Sequence, residues 1–507
     1  ALARAAIFAA VIGAPVLGVA QVPVTQKVVP APAAKATVQA LFLSDIHLDP
    51  FHDPAKVAEL NAAPAGKWLG ILARPDSATQ AADYTALQAV CPVRGLDTSY
   101  ALWESSLKAM KRDAAQVKFA TVSGDLMAHA FDCKYKTLVP AGTHADYLAF
   151  VEKTIRTVVS GLREAVPGVP VYVGLGNNDS GCGDYALDAS GDAFLAEIAP
   201  IVDEALGAEG RGKDGGRAAI VKDFKAGGYY SAALPAAVPK TRIVVLDDIY
   251  SSGKYKNCAK GASPEAATAQ LDWLGAQLDA AREKGEKVWV LGHIPPGVDL
   301  YTTAKNTPNL CEAGKADMFL GSEKLAEILA AYPDTVKLAL FGHTHSDEMR
   351  LLLPEAGGGI GKQGVPLKVT ASITAVNGNN PTFTVAQIDP ATGTLADYTV
   401  VMASNQTGIE TTWAREYTYS AAYGEADFSA ASLADLIGKF KADATGSGPA
   451  SQIYLRSYFP GDTGMHAMVL QLVWPMYGCA MDHDSAKAFA ACVCAKAAVP
   501  SQTPSTP

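Results

Sequence analysis

Short, continuously apolar strands that alternate with helical periodicities predict a layered α/β fold for this chain. Three observations carry that expectation. The strand-like runs are bounded by glycine and lack polar alternation, which marks strands buried on both faces. Segments of 3.6-residue periodicity recur between them. Groups of Asp, Asn and His follow the ends of the apolar runs, where α/β folds collect their functional side chains.

Taken in order, Val38–Leu43 reads as the first strand. A long insertion follows, with helical periodicity over residues 99–115, and then a strand over 117–123. Residues 146–166 are amphipathic and end at Pro167-Gly168, which cannot continue a helix. A strand over 169–175 leads to Asn177, and a Gly- and Asp-rich insertion follows with a helix near 192–206. Strands are expected at 242–246, Lys287–Leu291 and Val336–Phe341, with a helix over 264–284 between the first two. Closing strands fall at 367–373 and 382–388. From about Ala403 the chain reads as mostly helical, with clear periods over 429–441 and 484–497, and is expected to pack on the preceding domain as a lid or buttress. The apolar run 465–474 is short and is expected in the core.

Charged residues make up only 18% of the chain and hydrophobic ones 49%, so an ordered globular protein is expected rather than a disordered one. The net charge of −9 argues against nucleic acid or an anionic membrane as a main partner, and means that global charge does not steer a phosphate inward. Residues 1–20 carry an Ala/Val/Ile-rich run closed by Gly18-Val19-Ala20, which reads as a secretory signal cut after Ala20, with a short membrane anchor as the rival reading. Residues 21–37, rich in Pro, Val and Ala, read as an extended arm, and 498–507 as a disordered tail. No transmembrane helix is expected in the mature chain, and nothing fixes the oligomeric state. Eight cysteines in a secreted or periplasmic chain point to disulfides. The rival reading of the tail cysteines, a zinc knot, suffers from the tight Cys492-Val493-Cys494 spacing.

The chemistry lies in an ordered set: Ser44-Asp45-Ile46-His47, Gly124-Asp125, Gly176-Asn177-Asn178-Asp179, Gly292-His293 and Gly342-His343-Thr344-His345. Asp, Asn and His together suit a borderline-hard dication. The bland alternative, buried histidines and turn aspartates, requires each segment to fall at a strand end by coincidence. His52, His144, His466 and His483 have no motif around them and are read as structural or surface residues.

This set, from about Val38 to Tyr398, resembles the calcineurin-like metallophosphoesterase superfamily. Within it the chain is most similar to the acid sphingomyelinase-like phosphodiesterases and the endopolyphosphatases. The narrower likeness rests on Gly292-His293-Ile294-Pro295-Pro296-Gly297, on Gly124-Asp125-Leu126-Met127-Ala128-His129, and on the run from Ser372 to Pro381 with the following 383–389. Trp413-Ala414-Arg415-Glu416-Tyr417 and the Cys-bearing tail extend it to about residue 496.

The resemblance implies a four-layer α-β-β-α sandwich, the metallophosphoesterase fold, over residues 38–402, with a mostly helical C-terminal subdomain over 403–497. It implies two divalent ions, zinc first, with manganese or iron as alternatives. Asp45, His47 and His345 would hold one, Asn177, His293 and His343 the other, and Asp125 both. Water between two dications loses its proton near neutral pH and can attack phosphorus in line. His129 would protonate the leaving oxygen if the segment after Asp125 turns helical and puts both side chains on one face. Asn178 stands where most of the superfamily has His; it can donate a hydrogen bond but transfers no proton. Asp179 is expected to orient a ligand, or else to be a plain turn residue. The resemblance also suggests Cys258 with Cys311, and Cys479 with Cys492 or Cys494. The reading is a secreted dimetal phosphodiesterase acting on a small phosphoester: a phospholipid head group, a nucleotide or polyphosphate. The alternatives are an anhydride hydrolase for polyphosphate or nucleotides, and a phosphate-binding protein with catalysis impaired through Asn178.

Overall fold

The computed structural model describes residues 36–189, 191–211, 216–307, 310–312, 314–354, 363–461 and 464–497. The expected signal, all but the last two residues of the arm, and the tail from 498 lie outside the described residues.

Twelve strands are described: β1 (Val38–Leu43), β2 (Phe119–Ser123), β3 (Val171–Gly174), β4 (Tyr230–Ala233), β5 (Thr241–Val245), β6 (Lys287–Leu291), β7 (Val336–Phe341), β8 (Glu348–Leu352), β9 (Val365–Val369), β10 (Thr382–Asp389), β11 (Thr394–Ala403) and β12 (Trp413–Thr418). They form two six-stranded sheets, ordered β12-β11-β10-β1-β2-β3 and β4-β5-β6-β7-β9-β8. In the first, β1, β2 and β3 run parallel, and in the second β5, β6, β7 and β9 do. The C-terminal ends of β1–β3 therefore share one rim, as do those of β6 and β7. The sheets face each other through Phe42, Phe119 and Trp289, whose rings meet edge-on at 5.5–5.8 Å. Trp289 Nε1 also donates to Gly393 O at 2.7 Å, so the largest buried side chain at this interface leaves no donor unpaired.

Helices cover the outer faces. Ala193–Arg211 lies against β3, and Pro264–Glu283 against β6. His144–Ala165 is long because its apolar positions recur at helical spacing and a capping box at Thr143 and Asp146 satisfies its first turn. Tyr100–Asp113 is tied to β12 by Trp413 Nε1→Ser105 Oγ at 2.9 Å and Arg112 Nη2→Trp413 O at 2.9 Å. The result is the α-β-β-α layering that the family resemblance implied, where periodicity alone gave only α/β.

The chain beyond Ala403 first adds β12 to the edge of the first sheet, and helices begin only at Tyr419. The helices then buttress the strand that follows His345. Asp347 N donates to Tyr458 O, and Leu351 N to Met481 O, both at 2.8 Å. The buried Asp347 carboxylate accepts from Lys368 at 2.5 Å and from Tyr417 at 2.9 Å. One expectation fails here. The apolar run 465–474 is not core throughout: Met468, Val469 and Leu472 on the helix Met465–Leu472 are exposed, while Trp474 is fully buried. One turn of that helix packs through Leu470, and no described element covers the opposite face.

Four disulfides are formed: Cys91–Cys133, Cys182–Cys258, Cys311–Cys494 and Cys479–Cys492. The Cys258–Cys311 pairing is therefore corrected. A backbone bridge joins Ala186 to Lys256, with Lys256 N→Tyr185 O and Leu187 N→Lys256 O, and brings Cys258 onto Cys182. Of the two partners left open for Cys479, Cys492 is the one. Cys492 and Cys494 lie two residues apart on the helix Ala486–Ala497, hence on different faces, and reach different partners.

Glu416 on β12 gives the fold a pH dependence. Burial pushes its carboxyl up to about 8, with Asp347 adding to the shift and Lys368 opposing it. The folded state thus holds this proton more tightly than the unfolded chain. The stability it contributes is complete below about pH 4.5 and is lost as pH rises through about 8. Thermal melts should therefore fall less between about pH 5 and about pH 8.5 for Glu416→Gln than for the parent protein. Equal falls in both would count against this assignment.

Candidate metal centre

Each candidate ligand sits just past a strand end on the shared rim, and the backbone there is unusual. Asp45, His47, Asp125, His343 and His345 all have positive φ, from 46° to 71°. Asp and His tolerate this left-handed region better than most residues, yet it costs energy and clusters at functional sites. Glycines allow the strand ends to approach: a Cβ on Gly176 would sit 2.2 Å from Asp125 Oδ1, and one on Gly342 would sit 1.8 Å from Ser44 Oγ.

The seven residues converge. Asp125 Oδ2 lies 3.3 Å from His47 Nε2 and 3.3 Å from His293 Nε2, between two groups of donors. On one side Asp45 Oδ1 is 3.3 Å from His345 Nε2 and 3.9 Å from His47 Nε2. On the other, His293 Nε2 is 3.1 Å from Asn177 Oδ1 and 3.3 Å from His343 Nδ1. The donor groups Asp45/His47/Asp125 and Asp125/His293/His343 each have ligand atoms within 4.8 Å of one another. Such crowding of buried acceptors fits cations.

The tautomers fit as well. His47 Nδ1 is 2.9 Å from Met127 O, and His293 Nδ1 is 2.6 Å from Ser123 O. A carbonyl only accepts, so each Nδ1 carries a hydrogen and each Nε2 is the atom turned to the centre; burial opposes charge on His293, but Asp125 outweighs it and pushes its pKa up to about 10, so a cation would have to displace that proton. His47 Nε2 is buried and has no hydrogen-bond partner in the protein, a state a bound cation would relieve. Burial resists ionisation of Asp125, but His293 and His47 outweigh it and hold its carboxyl far below the usual range.

A second ring of residues fixes the first. Asn178 turns to Asp125, with N→Oδ1 at 2.8 Å and Nδ2→Oδ2 at 2.9 Å. The buried Asp179 is no plain turn residue: it accepts from Leu126 N (2.8 Å), Met127 N (3.0 Å) and Gly176 N (2.9 Å), pinning the β2 loop to the β3 loop. Burial and the nearby Asp125 push its carboxyl up to about 7. His129 reaches the centre, but not by helical spacing. Residues 124–128 form no helix: Asp125 is left-handed, Asp179 takes the N–H groups of Leu126 and Met127, and Leu48 N pairs with Leu126 O at 2.9 Å. The His129 ring stacks on His47 at 4.1 Å, and its Nδ1 meets Asp97 Oδ1 at 2.8 Å. Burial alone would lower its pKa, yet Asp97 more than offsets this and raises it.

Several residues that frame the site were not anticipated from the sequence. Asp97 holds His129 and is itself neutralised by the fully buried Lys134, which also bonds Asp49. Asp184 takes Asn177 Nδ2 at 2.7 Å and so aims the amide oxygen inward. Asp248 accepts from His293 N and Ile294 N at 2.8 and 3.0 Å. Tyr185 OH stands 3.3 Å from His343 Nε2. Asp248 carried a usable signal, a carboxylate just past the strand predicted at 242–246; Asp97 and Asp184 lie in loops without one. His52, His144 and His483 take no part in the centre: His52 faces Asp76 at 3.8 Å, His483 pairs with Asp482 at 2.6 Å, and His144 opens a helix. The His466 side chain lies outside the described set.

The family model for calcineurin-like phosphoesterases matches residues 39–347, from β1 to the loop that bears His343 and His345. The chain belongs to that family. Human acid sphingomyelinase-like phosphodiesterase 3b is 30% identical over 356 residues, 68% of this phosphoesterase and 70% of its own length. Mouse cyclic GMP-AMP phosphodiesterase SMPDL3A is 26% identical over 432 residues, 81% of this chain and 82% of its own. Among solved structures, a dimetal phosphatase from Danio rerio covers 75% of this phosphoesterase and 99% of its own chain at 12% identity, a distant likeness with a TM-score of 0.39. The chain is a metal-dependent phosphodiesterase, as its relatives are named. Among the described residues no helix of this phosphoesterase is long and apolar enough to cross a membrane.

Proposed function

We propose that this phosphoesterase hydrolyses phosphodiester and phosphoanhydride bonds of small substrates outside the cytoplasm, with two divalent ions, zinc first. The observation that carries the reading is the single oxygen Asp125 Oδ2, 3.3 Å from a histidine of each donor group. Asp45, His47 and His345 would hold one ion, Asn177, His293 and His343 the other, and Asp125 would serve both. Ions so held supply positive charge for a phosphate and a water acidic enough to attack phosphorus at neutral pH.

The rest is work for the chain. Asn178 and Asp184 keep Asp125 and Asn177 aimed at the centre. Asp97 holds His129 with Nε2 free, placed to give a proton to the departing oxygen. Since Asn178 cannot give a second proton, bonds whose leaving group is already a stable anion, such as phosphate or an aryl oxide, should be preferred over alkyl esters. Relatives named for cyclic GMP-AMP hydrolysis and for sphingomyelinase-like activity make nucleotides and lipid head groups the substrates to compare. The four disulfides support an oxidising compartment, secreted or periplasmic.

The test is a panel run on protein loaded with zinc or manganese: bis(p-nitrophenyl) phosphate, a nucleotide anhydride, polyphosphate and sphingomyelin. Turnover of the aryl diester and of anhydrides above sphingomyelin is expected. Sphingomyelin as the fastest substrate would overturn the leaving-group preference. Tight phosphate binding with no turnover at all would favour the impaired, phosphate-binding alternative.

A further inference from the structure

The two donor groups are unequal in charge. Asp45, His47 and His345 bring a carboxylate of their own besides the shared Asp125, whereas Asn177, His293 and His343 bring none. An ion in the second group would face one carboxylate instead of two. Its hold therefore depends more on how well the neutral donors are aimed.

Two adjacent residues do that aiming. Asp184 Oδ1 accepts from Asn177 Nδ2 at 2.7 Å, and Tyr185 OH stands 3.3 Å from His343 Nε2. His343 Nδ1 is the atom on the side of the centre, 3.3 Å from His293 Nε2. A neutral imidazole that turns an Nδ1 lone pair inward carries its hydrogen on Nε2, and the Tyr185 oxygen is in reach to accept it. The tyrosine thus stands behind His343 as the Met127 and Ser123 carbonyls stand behind His47 and His293. Tyr185 is buried, yet its φ is 55°, a costly conformation for so bulky a residue. The surroundings hold it there. Tyr185 N donates to Asn177 O at 2.9 Å, Lys256 N donates to Tyr185 O at 3.1 Å, and Cys182 is bonded to Cys258 beside it. The Lys254 ammonium lies over the ring, 4.9 Å from its centre. Asp45 and His47 are held from elsewhere, by Ser44 Oγ at 2.5 Å and Met127 O at 2.9 Å.

We infer that Tyr185 is a positioning residue for one ion of the pair: its hydroxyl fixes the orientation and tautomer of His343, and with Asp184 it decides how tightly the Asn177/His293/His343 group holds its ion, while the Asp45/His47/His345 group is left as it is. The two ions are therefore held unequally, and the loop that bears Asp184 and Tyr185 governs the weaker one. This inference rests on the two-ion reading above and names a residue that sets the balance within the same centre.

The test uses the full chain with its disulfides intact, loaded with zinc, and reads the zinc left per chain after dialysis against rising nitrilotriacetate. The parent should lose its zinc in two steps. Tyr185→Phe keeps the ring and its packing and removes only the hydroxyl. It should move the first step to chelator concentrations lower by about 10-fold or more, the usual cost of deleting the outer partner of a ligating histidine, and leave the second step in place. Asp184→Ala should move the same step. Tyr255→Phe is the control: Tyr255 OH donates to Leu187 O at 3.0 Å, so it braces this loop without touching a ligand, and both steps should stay as in the parent. A single step in the parent, an unmoved first step in Tyr185→Phe, an equal move of both steps, or the same move in Tyr255→Phe would overturn the inference while the two-ion reading stands. A parent that takes up fewer than two zinc ions per chain would overturn both.

Discussion

Asp125→Ala should reduce turnover to background and remove most of the bound metal. One carboxylate oxygen faces His47 Nε2 and His293 Nε2 at equal distance, so its loss takes a donor from both groups at once. It also orphans the Asn178 N–H groups, which now end on that carboxylate. Asp125→Asn is the needed companion. It keeps the shape and suits the left-handed backbone at φ 54°, but removes the charge. Metal analysis on both variants, with circular dichroism to confirm folding, separates loss of the site from loss of the fold. We expect a folded Asn variant with less metal and rates lower by about 10²-fold or more, since the anion facing both donor groups is replaced by a neutral amide. Two metals per chain and near-parental turnover in Asp125→Ala would refute the assignment.

The second large effect belongs to His129. Its Nδ1 is committed to Asp97 and its ring is braced against His47, so it can act only through Nε2. A proton delivered to the leaving oxygen matters most when that oxygen would depart as a basic alkoxide. His129→Ala should therefore slow an alkyl diester about 10²-fold or more, the usual range for losing a general acid, and an aryl diester far less. Metal content should not change, which separates an acid from an eighth ligand. Asn178→His should narrow the gap between the two substrate classes. Equal slowing of both classes by His129→Ala, or loss of metal, would end the general-acid role.

Much of the frame was legible because apolar strands and metal donors leave local marks. β1, β6 and β7 fall where the runs before Asp45, His293 and His343 end, and all the expected ligands converge. What escaped lacks a local mark. β4 and β12 are edge strands with mixed faces, so neither a continuous apolar run nor a helical period announces them. Asp97 and Lys134 lie 37 residues apart and meet only because the fold closes a loop through Cys91 and Cys133. Cys258 was drawn to Cys311 by likeness to relatives, but the bridge between Ala186 and Lys256 decided otherwise. The helix expected after Asp125 does not form; a loop pinned by Asp179 brings the His129 ring against His47 instead.

The left-handed backbone at Asp45, His47, Asp125, His343 and His345 also bears on how such a centre changes over generations. Side chains that tolerate this conformation are few: glycine, and then Asn, Asp and His. Three of those four are themselves metal donors. The backbone thus screens mutations before chemistry does, discarding β-branched and bulky residues through misfolding and letting through exchanges among oxygen and nitrogen donors. A lineage built on this frame can drift in donor charge, and with it in metal preference, while the architecture is kept. Transplanting the cage onto another protein would fail if only the side chains were copied, because the bends that present them are part of the binding site.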